Sequence, residues 1–151
     1  MTMLAGPFTE KGTLFGKGSL PVVERNLAFL EERHKLISHN IANVHTRFFK
    51  AKDLPEEDFL RLLNKSMDAR DHKHVRVFEM IHNSKVYGDW DGGDGFLTED
   101  TAGEVLRHSD NNVDIDKEMT KLARNGLMYQ TMSSLAKKNY DLLRSTIRET
   151  A

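Results

Sequence analysis

Cysteine is absent from this chain of 151 residues. Disulfides, thiolate zinc sites and cysteine nucleophiles are therefore excluded. No apolar run approaches the roughly 20 residues of a membrane-spanning helix. Proline occurs only at Pro7, Pro21 and Pro55. Residues 1–19 lack a basic start followed by an apolar stretch, so no cleaved secretory signal is expected. Net charge is also scarce: 22 Lys+Arg against 23 Asp+Glu gives −1. That balance leaves no electrostatic footprint for nucleic acid. Hydrophobic residues make up 38%, below the roughly 45–50% of ordinary globular chains. The core must be modest, and the chain elongated or supported by partners. The length favours one domain and excludes a β/α barrel of roughly 250 residues.

The neutral total hides a pattern. Residues 1–19 carry +1, residues 20–52 +3, residues 53–111 −7 and residues 112–151 +2. Glycine follows the same division: four lie before Pro21, five between Gly88 and Gly103, and only Gly126 beyond. Four pieces follow: a flexible segment 1–19, an N-terminal helical piece 20–52, an acidic irregular middle 53–111 and a C-terminal helical piece 112–151.

The first helix should start near Pro21, a suitable first-turn residue. Its apolar positions Val23, Leu27, Leu30, Ile37, Ile41 and Val44 alternate steps of four and three, with His34 in the gap. That is a heptad seam. The second helix should begin around Asn112, with Asp114, Asp116 and Glu118 opposing the helix dipole. Its seam runs Ile115, Met119, Leu122, Gly126, Tyr129, Ser133, Ala136, Tyr140, Leu143 and Ile147. A second apolar line holds Leu127, Met128, Met132, Leu135 and Leu142. The expected fold is mainly α: long N- and C-terminal amphipathic helices pairing as a coiled-coil-like hairpin. The longer seam outruns the shorter by about 11 residues, roughly 16 Å. Either a partner or a folded-back middle segment must cover the surplus.

Within the middle, residues 53–67 suggest a short helix, capped by Asp53, with Pro55 in its first turn and an apolar face of Phe59, Leu60, Leu62, Leu63 and Met67. Residues 74–81 read as a strand or a short helix. Asp89, Asp91, Asp94, Glu99 and Asp100 invite a calcium loop, but Asp94 stands where the loop needs glycine and Asp100 where it needs glutamate. His72 with His74, and His34 with His39, lack the spacing of a helical zinc pair. Ser133 and Ser134 lack the nucleophile elbow. The glycines at 92, 93 and 95 form no phosphate-binding pattern. No cofactor, metal or small-molecule substrate is implied, and the sequence does not read as an enzyme.

Two features carry more. Asn40 and Asn43 lie late in the first helix. They either terminate it or fix packing register as buried amides. Gly126 costs its helix roughly 1 kcal/mol relative to Ala. It either permits close approach by a neighbour or is a tolerated surface glycine.

Asn40-Ile41-Ala42-Asn43-Val44, then Thr46, Lys50-Ala51 and Asp53, resembles the N-terminal signature of bacterial flagellar rod and hook proteins. Asn111-Asn112-Val113-Asp114-Ile115-Asp116-Lys117-Glu118-Met119, leading into an amphipathic helix, resembles their C-terminal signature. Arg33, Leu36, Ile37 and the run Leu127–Ser134 also fit. The resemblance spans about half the chain, residues 20–53 and 109–148. The family pattern continues Thr-Pro-Gly-Tyr-Lys-Ala; here Arg47, Phe48 and Phe49 replace Pro-Gly-Tyr. Asp110 stands where the family has glycine.

The resemblance implies a structural subunit of the proximal rod of the flagellar basal body. It would leave through the flagellar type III export apparatus and assemble in the periplasm. Its implied partners are other copies of itself, other rod proteins, the FliE adaptor and the export gate. The expected assembly interface comprises Leu27, Leu30, Ile37, Asn40, Ile41 and Asn43 of the first helix. From the second come Ile115, Met119, Leu122, Gly126, Tyr129, Leu143 and Ile147. A soluble helical adaptor or export chaperone is the alternative, since it would use the same amphipathic stripes on a client.

Overall fold

The computed structural model describes residues 18–72, 78–87, 95–100 and 111–149. The elements run α1 (Leu20–Ala42), β1 (Lys52–Asp53), α2 (Glu56–His72), β2 (Val86–Tyr87), β3 (Gly95–Phe96), β4 (Glu99–Asp100) and α3 (Ile115–Glu149). The chain is mainly helical, and its long first and last helices pack against each other as expected. Two short antiparallel ladders, β1 with β4 and β2 with β3, decorate the irregular middle.

Pro21 occupies the first turn of α1, where its missing N–H costs nothing. The helix buries two faces. Leu20, Val23, Leu30, Ile37 and Asn40 are buried on one side, with Leu27 and Ile41 half-buried beside them. The second face, Val22, Phe29 and Leu36, joins Leu54, Phe59, Leu62, Leu63 and Val86 in the main apolar cluster. Phe29 and Phe59 stack at 4.1 Å between centroids, 8° from parallel.

α2 supplies that second cluster. Glu56, Glu57 and Asp58 crowd its first turn, and Arg70 and His72 its last, the polarity that favours the helix dipole. Phe59, Leu62, Leu63 and Ser66 face inward, while Leu60 is exposed and Met67 half-buried. The Ser66 hydroxyl donates to the Leu62 carbonyl at 2.7 Å and accepts the Ile81 N–H at 2.8 Å. This pins residues 78–81, which are neither strand nor helix; residues 73–77 lie outside the described residues. Asp53 does not cap α2. It lies in β1, its carboxylate turned to Arg33, and the Pro55 carbonyl takes the Phe59 N–H instead.

The helix ends differ from expectation. α1 stops at Ala42, so Val44 falls in a turn. α3 starts at Ile115 rather than Asn112, because Asn111, Asn112 and Val113 turn inward and are buried. Asp114 initiates it: its side chain accepts the Asp116 N–H at 3.1 Å and its carbonyl the Glu118 N–H at 2.9 Å. The turn after α1 is made without Pro-Gly. Phe48, in the family's glycine position, adopts φ 62° and is 66% exposed. Left-handed backbone costs a residue with a Cβ roughly 1–2 kcal/mol.

Among the described residues, α2 and residues 78–86 pack on the second face of α1, while Asp53 and Glu56 reach α3 through Lys121 and Arg124. Removing the anchor tests that packing. Phe59→Ala is expected to cost about 3–5 kcal/mol, read as a lowered midpoint in denaturant with α2 amides losing hydrogen-exchange protection first.

Candidate functional site

The Asn40 motif and the Asn111 motif, about seventy residues apart in sequence, meet in one buried polar junction. Asn40 is at its centre. Its amide nitrogen donates to the Glu118 carboxylate at 2.9 Å and to the Lys52 carbonyl at 2.8 Å. Its amide oxygen accepts the Lys52 N–H at 3.1 Å. One side chain therefore ties α1 to β1 and to α3. Glu118 is 0% exposed, and Lys121 holds its second oxygen at 2.7 Å.

Asn111 closes the end of α1. Its amide nitrogen faces the carbonyls of Asn43, Val44 and Thr46 at 3.0, 3.1 and 2.8 Å. These carbonyls belong to the residue that caps α1 and to the turn beyond it, and a side chain 65–68 residues away supplies their donor. Asn112 accepts the Ala51 N–H at 2.7 Å. Asn43 donates back to the His39 carbonyl at 2.9 Å, and Thr46 donates to the Asn43 oxygen at 3.2 Å. Both readings of the Asn pair hold: Asn40 is the buried interface amide, and Asn43 finishes the helix.

An alternating ion chain wraps the junction. Glu118 pairs with Lys121, Lys121 with Asp53 at 3.4 Å, and Asp53 with Arg33 at 2.9 Å. Arg33 reaches on to Glu56, which meets Arg124 at 3.4 Å. Burial opposes the charge on Asp53, but the Arg33 hydrogen bonds and charge, the Leu54 N–H and Lys121 outweigh it and depress its pKa. Burial likewise opposes the charges on Arg33 and Lys121. Asp53 and Glu56 raise the first above its ordinary value, Glu118 and Asp53 the second.

Farther along, Asn125 donates to the Leu30 carbonyl at 2.9 Å, and Ser19 to Asn139 at 3.4 Å. Glu118, Asn125, Met132 and Asn139 are spaced by seven residues, and this mixed line faces α1. The seam expected there lies beside it. Leu122 and Leu143 are half-buried. Ile115, Met119 (52% exposed), Tyr129 and Ile147 (63% exposed) are on the surface. The seam thus lies on the flank of the α1 contact from its start, with the polar line in the contact itself. Gly126 is exposed, and a Cβ there would meet nothing within 4 Å. No close approach occurs at Gly126 among the described residues. Leu127, Met128, Leu135 and Leu142 are exposed as well. α3 thus turns buried polar groups toward α1 and much of its apolar surface outward.

The polar line was missed because only apolar residues were counted. Its seven-residue spacing of Glu, Asn, Met and Asn was the available signal. Of the acidic stretch weighed for calcium, Asp89, Asp91 and Asp94 lie outside the described residues, as does His74. No group of three His, Asp or Glu side chains among the described residues could hold a metal ion. No described helix is long and apolar enough to cross a membrane.

The two signature motifs thus meet in one helical hairpin, held by amides and apolar on its outer face. No protein-family profile matches the chain. Among curated proteins, it is 26% identical over 132 residues to the flagellar basal body rod protein FlgB of Bacillus subtilis. That alignment covers 86% of this chain and 93% of the relative. It is 32% identical over 124 residues to FlgB of Borreliella burgdorferi, covering 78% of this chain and 86% of the relative. The chain belongs to the FlgB family of flagellar basal body rod proteins. It is a structural component of the rod of the flagellar basal body.

Two measurements probe the junction. Asn111→Ala should cost about 1–3 kcal/mol, since the Val44 carbonyl loses its donor while those of Asn43 and Thr46 keep the Thr46 and Phe49 N–H groups. Loss of helicity at the C-terminal end of α1 would accompany it in hydrogen exchange. The second is acid unfolding. A depressed Asp53 pKa contributes stability that is fully present above the unfolded carboxylate value, about 3.9. That stability is lost as pH falls through the lower folded value. Asp53→Asn should lower stability at neutral pH and flatten the acid limb of the stability–pH curve.

Proposed function

We propose that this chain is a self-assembling subunit of the proximal rod, joined to its neighbours through its two long helices. The observation that carries this is the outward apolar surface of α3, from Ile115 and Met119 to Leu142 and Ile147. Exposed apolar area of that extent is characteristic of an interaction surface. The amide junction supports the same reading, since it consumes both family signatures in holding the hairpin and leaves α3's apolar lines for other chains.

In this proposal residues 20–52 and 112–151 form the rod core, residues 53–111 a variable acidic segment and residues 1–19 a leading segment. Leu27, Leu30, Ile37, Asn40, Ile41 and Asn43 act mainly by holding the hairpin. Ile115, Met119, Leu122, Gly126, Tyr129, Leu143 and Ile147 meet the neighbours. Those neighbours are other copies, other rod proteins, the FliE adaptor and the export gate. The subunit passes through the flagellar type III apparatus and assembles in the periplasm.

Gly126 provides the test. A Cβ there meets nothing within 4 Å among the described residues, so those residues leave room for a larger side chain. Gly126→Leu should stabilise the isolated protein by roughly 0.8–1 kcal/mol of helix propensity. In an assembly that packs this face closely, the same change should abolish incorporation, with Gly126→Ala intermediate. Circular dichroism reads the first effect; basal-body purification and swimming assays read the second. Normal incorporation of Gly126→Leu would remove this face from the interface. A closed dimer as the end state, with no incorporation of wild type, would favour an adaptor instead.

A further inference from the structure

Strain and exposure coincide at one residue of the turn after α1. Phe48 adopts φ 62° and leaves 66% of its surface uncovered. Glycine holds that backbone without steric cost, so the phenyl ring is kept at a loss of stability and packs little within the chain. Its neighbours leave the turn no room to relax. The Thr46 carbonyl accepts the Asn111 amide at 2.8 Å and the Phe49 N–H at 3.4 Å. The Ala51 N–H donates to Asn112 at 2.7 Å, and Ala51 has no exposed surface. Phe49 turns the other way and is half-buried, its ring 5.4 Å from that of His39. The Arg47 guanidinium lies over the Phe48 ring, 5.6 Å from its centroid, within range of cation–π attraction. One ring and one cation are therefore held outward together. No acid occurs between Glu32 and Asp53. Neighbouring elements bring Asp100, opposite Lys52 across the β1–β4 ladder, and Asp114 and Asp116 beside Lys117.

We propose that Phe48 is a binding residue for another protein of the basal body, its ring entering an apolar pocket with a carboxylate at the rim to meet Arg47. This rests on the chain being a rod component and not on the α3 faces, so the Gly126 variants do not decide it. Strained backbone persists where the surroundings over-determine it, and such places cluster at ligand clamps. The occupant is a protein pocket and not a lipid surface because the ring is held in one orientation. A bilayer takes up an aromatic ring in many orientations, and a relaxed turn would serve it equally well. A shaped pocket rewards a ring that loses no freedom on binding. Arginine and aromatic side chains also dominate the energetics of protein interfaces.

The test uses the full chain. Phe48→Gly and Phe48→Asn both remove the ring, and both residues suit a positive φ. Each should raise the thermal unfolding midpoint of the purified protein. Each should also lower its content in isolated basal bodies, and swimming with it, by about tenfold or more. Phe48→Tyr keeps the ring and should incorporate as wild type does. Arg47→Glu should reduce incorporation without moving the midpoint. Normal incorporation of Phe48→Gly would overturn the proposal. So would normal incorporation of Phe48→Asn alone, which would trace the glycine defect to a loosened turn. A lowered midpoint in both variants would show that the ring packs within the chain, and would overturn it too. Wild-type binding to vesicles of phosphatidylglycerol and phosphatidylethanolamine, lost in Phe48→Gly, would assign the ring to a membrane instead. Absence of the wild-type chain from basal bodies would overturn the rod reading as well, a failure distinct from loss in the variants alone.

Discussion

The fold depends on one buried contact, the 2.9 Å hydrogen bond from Asn40 to Glu118. A carboxylate with no exposed surface is costly unless its oxygens are occupied. Asn40 holds one oxygen of Glu118, and Lys121, three residues on in the same helix, holds the other. The Asn40 bond needs α1 and α3 in one alignment, and a register shift by one turn would strand that oxygen. The same alignment places Asn125 under the Leu30 carbonyl and, 21 residues from the anchor on each helix, Ser19 against Asn139. Polar groups thus set which residue meets which, and apolar contacts fill in between.

That division bears on how firmly the hairpin is held. Asn125 Oδ1 and Asn139 Nδ2 are buried without a hydrogen-bond partner among the described residues. Such groups lower the net gain from pairing the helices, while mispaired alternatives would leave more of them unsatisfied. The α1–α3 contact is therefore specific before it is strong. The stronger apolar packing sits on the opposite face of α1, where Phe29 stacks on Phe59. α1 is the shared element, welded on one side and registered on the other.

Much of this was legible in the sequence. The helix pair, the short helix of the middle and the importance of the asparagines followed from periodicity, Pro55 and the spacing of the two signatures. The inner face of α3 did not follow, because an apolar seam is a guide only where apolar groups do the pairing. Asn43 ends α1, as one of the two readings of the asparagines had it, but no local pattern announces that Asn111, 68 residues away, braces the turn that follows. The role of Asp53 was hidden for the same reason: its partner Arg33 is twenty residues earlier. The turn after Thr46 survived the loss of Pro-Gly because Asn111 and Asn112 brace it on both sides, enough to hold Phe48 in a conformation suited to glycine.

The outward apolar face of α3 has a consequence for the cell's supply of this chain. With a net charge of −1, copies repel one another little in solution, and adhesive patches on such molecules promote association. Encounters between free copies rise with the square of their concentration, whereas delivery to a growing tip rises only in proportion to it. A stockpile therefore loses material to side reactions faster than it gains speed. Synthesis matched closely to demand, with a small standing pool, is the regime in which a surface of this kind serves construction.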